Sequence, residues 1–311
     1  MKKYSILFLF IIIPVLGFGQ CFSSAGNPVG GSANMGTLDK KSLSFITFYR
    51  HFLSDRYFEG HNKSDFDLLK NANYNMLGSV LSYGLTQKFT VETEIGYFIN
   101  RTKNYNIPIG YSLKGFGFTN AILSGKFNLL NNTAKRIEYS ASVGFKIPFS
   151  KNNQIVDNVQ LPFDLQSSTK SFGVLFQSYL IKEDSFTGLR FFLYNRFETN
   201  NKNNEGYKLG NVLTNSVFIS KHRMKGSTSD FGWTYILQLR NEIRGRNFIN
   251  DEMENSSGSV KFYVSPQINL SIVELWNMSI MIDVPVYQKY NNIQLADRFA
   301  FSIAFARNFE L

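Results

Sequence analysis

The sequence predicts an all-β chain: a transmembrane, antiparallel, up-and-down β-barrel of about twelve strands. Three observations predict it. Large apolar residues alternate with small or polar ones through successive segments of about ten residues, the period of a strand with two different faces. The first twenty residues, MKKYSILFLFIIIPVLGFGQ, read as an export signal. No later window approaches a transmembrane helix, although aromatic residues make up 16 % of the chain, with 31 Phe and 16 Tyr. In a barrel half of each strand faces lipid and half faces a polar interior, so mean hydropathy stays ordinary while the strands still cross.

The export signal has the expected parts. Lys2 and Lys3 give a positive start, an apolar run follows from Ile6 to Leu16, and Gly17-Phe18-Gly19 supplies the small-x-small cleavage pattern. The run is short of the roughly 20 residues that a membrane-spanning helix needs. Residues 1–19 are therefore expected to be a signal peptide. Cys21 is the lone cysteine, which excludes a disulfide within the chain. Gln20 before it is larger than a lipid-attachment site favours. Residues 20–40, rich in Gly, Ser and Asn, are expected to be a flexible leader, the sharper alternative being a plug tucked into the barrel. Residues 41–311 form the barrel, with no second domain.

Strands are expected near 41–52 and 74–85. The third is clear: Phe89, Val91, Thr93, Ile95, Tyr97 and Ile99 face one way, and Thr90, Glu92, Glu94 and Gly96 the other. One near 117–129 precedes the fifth, where Ile137, Tyr139, Val143 and Phe145 oppose Glu138, Ser140, Ser142 and Lys146. Three more are placed near 171–181, 188–198 and 211–220. Trp233, Tyr235, Leu237 and Leu239 then oppose Gly232, Thr234, Gln238 and Arg240. Val260, Phe262 and Val264 oppose Ser259, Lys261 and Ser265, and Trp276, Met278, Ile280 and Ile282 oppose Asn277, Ser279 and Asp283. The last strand is the cleanest: Phe299, Phe301, Ile303, Phe305 and Phe309 against Ala300, Ser302, Ala304 and Ala306. Arg307 breaks that pattern near the end, where a long cation reaches the interface. An even strand count returns the chain to its starting side. Connections after strands one, three and five are long, 53–73, 100–116 and 149–170. Those after strands two, four, six and ten are short. Short turns belong to the periplasmic side and long loops to the outside. The connection at 221–230 is too long for a tight turn. Pro148, Pro162 and Pro285 are expected at strand ends.

Charge on the inward parity is the main functional signal. Glu92, Glu94, Glu138, Lys146, Arg190, Arg196, Glu198, Arg240, Lys261 and Asp283 all fall there. Against hydrocarbon each would cost roughly 2–4 kcal/mol at the midplane. They are candidate lumen-lining residues. Their mixed signs favour paired charges that fill a narrow barrel over a ring that selects ions of one sign. Outward Tyr83, Tyr97, Tyr139 and Trp276 are placed for the interfacial girdles.

Other chemistries find little support. Three histidines, His51, His61 and His222, stand apart from any nucleophile motif, and no G-x-S-x-G occurs. An outer-membrane hydrolase using His51 or His222 is the less favoured alternative, and no catalytic residue or cofactor is expected. His61, Asp65 and Asp67 have the spacing of a polar outer loop, so no metal is expected. No phosphate-binding glycine loop opens a helix. The formal charge of +10 suits anionic lipid phosphates and comes with no nucleic-acid motif. The expected partners are outer-membrane lipid and lipopolysaccharide, the barrel-assembly machinery through the C-terminal strand, and a small-molecule solute.

Several segments, in order, resemble outer-membrane barrels of the phenol-degradation, MetA-pathway type. They are YGLTQKFTVETEIGY (Tyr83 to Tyr97), FTNAILSGKFNLL (Phe118 to Leu130), SASVGFKIPFS (Ser140 to Ser150), LPFDLQSSTKSFGVLF (Leu161 to Phe176) and EGYKLGN (Glu205 to Asn211). YVSPQINL (Tyr263 to Leu270) and DVPVYQKYNNIQL (Asp283 to Leu295) complete the set. The leader SSAGNPVGG (Ser23 to Gly31) resembles Bacteroidota-like versions. The resemblance implies a barrel that moves small, often hydrophobic compounds, and it carries over no catalytic residue. A closed structural or adhesion barrel acting through its outer loops is the alternative expectation.

Overall fold

The computed structural model describes residues 36–149, 153–156, 158–224, 231–272 and 276–311. The signal segment, Cys21 and the leader up to residue 35 lie outside the described residues. The wall consists of β1 (Ser42–Gly60), β2 (Leu69–Thr86), β3 (Phe89–Tyr105), β4 (Ala121–Asn132), β5 (Ile137–Ile147) and β6 (Gly173–Glu183). It continues with β7 (Leu189–Asn200), β8 (Val212–Met224), β9 (Phe231–Arg244), β10 (Ser259–Ile272) and β11 (Trp276–Glu310). Each pairs antiparallel with its neighbour in sequence, and β11 also pairs with β1, which closes the sheet. Closure leaves the wall itself without a free edge, as a sheet in hydrocarbon requires.

β11 makes two passes. Its first half pairs with β10, Trp276 lying opposite Ile272. Its second half pairs with β1, Glu310 lying opposite Ser42. Both ends therefore sit at the rim that carries the tight turns. The chain reverses near Asn292, whose φ is 58°, a conformation that Asn tolerates better than most residues. Counted as crossings, the barrel has the twelve that the alternation predicts.

The two faces follow from that alternation. On β5, Ser140, Ser142 and Lys146 are buried inside while Tyr139, Val143 and Phe145 stand on the outer surface. On β9, Thr234, Gln238 and Arg240 are buried, with Trp233, Tyr235, Leu237 and Leu239 outside. In the last pass Ala300, Ser302, Ala304 and Ala306 are buried and Phe305 is outside. An outer surface of Phe, Leu, Ile and Trp is stable against acyl chains and not against water. The barrel thus belongs in a lipid bilayer. The guanidinium of Arg307 lies 4.5 Å from the Trp276 ring and 4.6 Å from that of Phe309, a cation held at the interface by two aromatic faces.

The strands outrun their expected limits at the long-loop rim. β1 extends to Gly60, and β2 begins at Leu69 rather than 74, so most of the predicted first loop is strand. The extra residues satisfy their backbone groups by pairing above the membrane, where hydrophobic alternation no longer marks them. At the other rim β8 reaches Met224 and β9 starts at Phe231. The long connection expected at 221–230 is thereby shortened to 225–230, which lies outside the described residues. Pro285 is not at a strand end: it pairs with Tyr263 inside β11, beside a bulge between Phe262 and Tyr263. The bulge interrupts the ladder where the proline nitrogen has no proton to offer.

Two features narrow the ends. Leader residues that the sequence leaves as flexible turn inward at the short-turn rim. The amide of Thr37 donates to Glu138 Oε1 at 3.1 Å, that of Leu38 to Thr90 Oγ1 at 2.8 Å, and Asn128 Nδ2 to Thr37 Oγ1 at 3.2 Å. Leu38 is buried. At the opposite rim β3 changes partner. Below Glu94 it pairs with β4, and above Tyr97 it pairs with a spur, Ser112–Phe118. The connection between β5 and β6 folds against that spur and carries a 3-10 turn, Phe163–Leu165. Leu165 is buried, and the Gln154 side chain accepts the Phe116 amide at 3.2 Å.

Candidate functional site in the barrel interior

The interior has a filled half and a hollow half. The filled part begins at the short turns and continues up the wall formed by β9 to β11 and β1. There Tyr179, Phe192, Tyr194, Phe218 and Ile236 point inward from β6 to β9 and pack into one cluster. Lys126 places Nζ 4.6 Å from the Tyr179 ring and 3.3 Å from Glu92 Oε2, while the Ser82 hydroxyl donates to Glu92 at 2.9 Å. Across the barrel Asp283, 1 % exposed, accepts from Arg50 Nη2 at 2.6 Å and from the Ser265 hydroxyl. Arg240 Nη2 stands 3.4 Å from the same carboxylate, with its guanidinium 4.2 Å from the Tyr263 ring. Asp297 binds Lys261 at 2.9 Å and accepts the Tyr263 hydroxyl at 2.5 Å. Asp283 ties β11 to β1 through Arg50 and to β9 through Arg240, strands that are not its neighbours in sequence, and so helps to fix the strand register from inside. A small cavity of about 180 Å³ separates Arg50 and Arg240 from Lys261 and Asp297.

The hollow half lies under the connection between β5 and β6. It holds a cavity of about 480 Å³ with two unlike walls. One wall is apolar, built from Phe48, Met76, Val80 and Phe98 of β1 to β3. The other carries Glu94, Lys146, Arg196, Glu198 and Arg244. Lys146 Nζ lies 2.5 Å from Glu198 Oε1, and Arg196 lies 3.5 Å from both Glu94 and Glu198. Phe163 and Tyr207, from two different outer connections, roof the cavity with ring centroids 3.8 Å apart. Burial, together with the Glu254 carboxylate that accepts from it at 3.2 Å, holds the Tyr207 hydroxyl above its ordinary pKa. Tyr207 therefore stays a neutral donor.

Of the ten predicted lumen residues, nine make contacts inside the barrel, in separate groups. Glu94, Lys146, Arg196 and Glu198 meet at the cavity; Arg240 and Asp283 meet in the filled half; Glu92 and Lys261 pair with Lys126 and Asp297. Glu138 holds the leader. Arg190 is placed apart, at the rim, 2.5 Å from Glu183. The alternation missed Arg50, Arg101, Lys126, Glu242, Arg244 and Asp297. Lys126 was open to the same parity rule, because Phe127 beside it points outward. Arg50 follows Ile46 and Phe48, apolar residues that also point inward, so the usual contrast between faces is absent. Asp297 sits at a bulge that shifts the parity. The histidines are on separate elements. His51 Nδ1 is 2.9 Å from Asn75 Oδ1, His222 Nδ1 is 2.9 Å from Thr234 Oγ1, and His61 is exposed in a turn. Asp67, on the expected polar loop, accepts from Asn106, and Asp65 is exposed.

No protein-family model matches this chain, and no curated protein matches it. Its fold matches solved structures. The COG4313 outer membrane channel from Pseudomonas putida F1 superposes with a TM-score of 0.69 at 13 % identity, over 89 % of this chain and 98 % of that one. The β domain of the Bordetella autotransporter Brka superposes with a TM-score of 0.51 at 6 % identity, over 87 % of this chain and 100 % of that one. The likeness is one of fold, and it makes this chain an outer-membrane β-barrel.

Proposed function

We propose that this barrel is a channel or transporter for small hydrophobic or aromatic solutes, of the kind that the phenol-degradation resemblance implies. The observation that carries the reading is the apolar wall inside the barrel. Phe48, Met76, Val80 and Phe98 face a cavity of about 480 Å³, whereas the apolar residues of the filled part, Tyr179, Phe192, Tyr194 and Phe218, pack against one another. That volume is in the range of small-molecule sites. Glu94, Lys146, Arg196 and Glu198 then act as the polar side of a solute path. The signal segment, residues 1–19, directs export, and the Phe-rich last pass presents itself to the barrel-assembly machinery. Lipid and lipopolysaccharide surround the outer belt.

The filled half supports a second reading, a closed barrel that acts through its outer loops. Tyr179, Tyr194, Phe218 and Asp283 are each at most 2 % exposed, so passage requires side chains or the leader to move. Proteoliposome swelling separates the two. A conduit admits small neutral solutes, and removal of residues 20–40 increases the rate. A barrel that stays impermeable in both forms sinks the channel reading, and an outer-loop deletion that abolishes the cellular phenotype then supports the closed one.

A further inference from the structure

We infer that the cavity under the connection between β5 and β6 binds a solute with an apolar body and one anionic head group, and that Arg101 is the counter-charge for that head. The inference deepens the proposed function and rests on it for the meaning of the site, but the binding itself can be measured separately.

The argument is an accounting of charge around the cavity. Lys146 and Arg196 have Glu198 and Glu94 within 3.5 Å, and Arg244 has Glu242 at 3.5 Å. Asp164, which lines the roof, is held by Lys103. Arg101 remains. Among the described residues no carboxylate lies within salt-bridge distance of it, and its one hydrogen bond runs from Nη1 to the Gln166 carbonyl at 2.9 Å. Its guanidinium stands 4.8 Å from the centre of the Phe98 ring. A guanidinium offers five N–H groups in a planar fork that matches a carboxylate. Arg101 is half-buried, and the Asp164 carboxylate that acts on it electrostatically is engaged by Lys103, so an anion that reaches the guanidinium gains a charge-assisted contact.

The rest of the cavity defines the body. Phe98 belongs both to the Arg101 contact and to the apolar wall, with Phe48, Met76 and Val80 beside it. A head group on Arg101 therefore leaves the body of the solute against hydrocarbon. An aromatic or short aliphatic monocarboxylate has this shape. A neutral analogue gains the apolar wall and not the charge. A cation meets the surplus positive group. The roof residues Phe163 to Thr169 lie against the same space, so the Gln166 carbonyl, which occupies Arg101, belongs to the segment an entering solute must pass.

The test uses purified full-length protein in detergent and three probes of one size: benzoate, benzyl alcohol and benzylamine. Titration calorimetry is expected to order them benzoate, then benzyl alcohol, then benzylamine. Arg101→Gln is expected to weaken benzoate about tenfold or more, the loss of a charge-assisted contact, while leaving benzyl alcohol unchanged. Arg101→Lys is expected to keep most of the preference for benzoate. Equal affinities for benzoate and benzyl alcohol in the native protein, no benzoate binding at all, or an unchanged benzoate affinity in Arg101→Gln overturns the inference. If Arg101→Gln does not fold, judged by its heat-modifiable migration, the native order of the three probes and Arg101→Lys decide. Arabinose entry into proteoliposomes is measured alongside. Entry without a benzoate preference leaves the channel and removes the anion site, whereas benzoate binding without entry does the reverse.

Discussion

Replacing Asp283 with Ala removes the one carboxylate that Arg50 and Arg240 share. The geometry sets the size of the loss. Asp283 is 1 % exposed, and it binds Arg50 at 2.6 Å, Arg240 at 3.4 Å and the Ser265 hydroxyl. Arg240 already has Nε and Nη1 without hydrogen-bond partners. The substitution leaves two buried guanidiniums facing each other with nothing between them. Breaking a buried pair costs about 3–5 kcal/mol, most of it the cost of the charge left behind. That is two to four orders of magnitude in the folded-to-unfolded ratio. The exposed pair Arg298–Asp55 is the internal control, for which Asp55→Ala is expected to cost about 0–1 kcal/mol. Urea unfolding from lipid vesicles, followed through the emission of the two tryptophans, Trp233 and Trp276, measures both. The triple change Arg50→Met, Arg240→Met and Asp283→Leu is expected to recover most of the loss, since it removes the stranded charges as well as the pair. If Asp283→Ala costs no more than Asp55→Ala, the interior network does not hold the barrel and the reasoning fails.

Three further outcomes are expected. A Cβ at Gly115 would stand 2.1 Å from the Leu165 carbonyl oxygen, so Gly115→Ala forces the inward connection outward, and limited proteolysis should cut residues 153–172 faster than in the native barrel. Glu138→Ala removes the acceptor of the Thr37 amide and of Asn128 Nδ2, and hydrogen exchange at Thr37 should quicken about tenfold for a lost bond near 1.5 kcal/mol; unchanged exchange means that something else pins the leader. The Asp184 carboxylate, in the exposed turn between β6 and β7, is held below the ordinary aspartate pKa by hydrogen bonds from the Thr187 hydroxyl and amide. Because its folded pKa is depressed, its support for the turn is present above the unfolded pKa and is lost as pH falls through the folded one. A carboxyl NMR titration should show this low midpoint, and Thr187→Val should raise it.

Most of the wall was legible because the membrane enforces it. Wherever one face meets acyl chains and the other does not, period two is written directly into the residues, as in Tyr139 to Phe145 or Phe299 to Phe305. Legibility fails where that contrast disappears. Above the bilayer both faces of a strand meet water, so Leu53 to Gly60 reads as loop although it is paired. On β1 and β2 both faces are apolar, because the inner one lines the cavity through Phe48, Met76 and Val80. The parity rule treats that as noise, and it is the signal on which the proposed function rests. Arg101 escapes the parity rule for a related reason: it lies past the end of the expected third strand, where the pattern assigns neither face. The leader's contacts with Glu138 and Thr90 depend on residues 52 to 101 positions away, which no local pattern encodes.

The division of the interior follows from how the two kinds of wall are stabilised. In the filled half each charge is satisfied by a partner on another strand, and a change in one strand's register would strand several charges together. That half therefore behaves as the rigid part of the barrel. The cavity half has fewer such ties across its apolar wall, and its roof is a connection rather than a strand. Packing there can change at the cost of apolar contacts and single hydrogen bonds, each of about 1 kcal/mol, rather than of buried ion pairs. On the proposed reading, a solute arriving from the loop side enters at the compliant half. Onward passage has to displace the cluster of Tyr179, Tyr194 and Phe218, or the leader beyond it, without opening the Asp283 network. The aromatic cluster belongs to β6 to β8 and Asp283 to β11, so the two are separate in the wall. One side of the barrel can yield while the other keeps the register. Tyr179→Ala should accordingly raise permeability while leaving the urea midpoint closer to native than Asp283→Ala does, and the opposite ranking would place the conducting side on β11 instead.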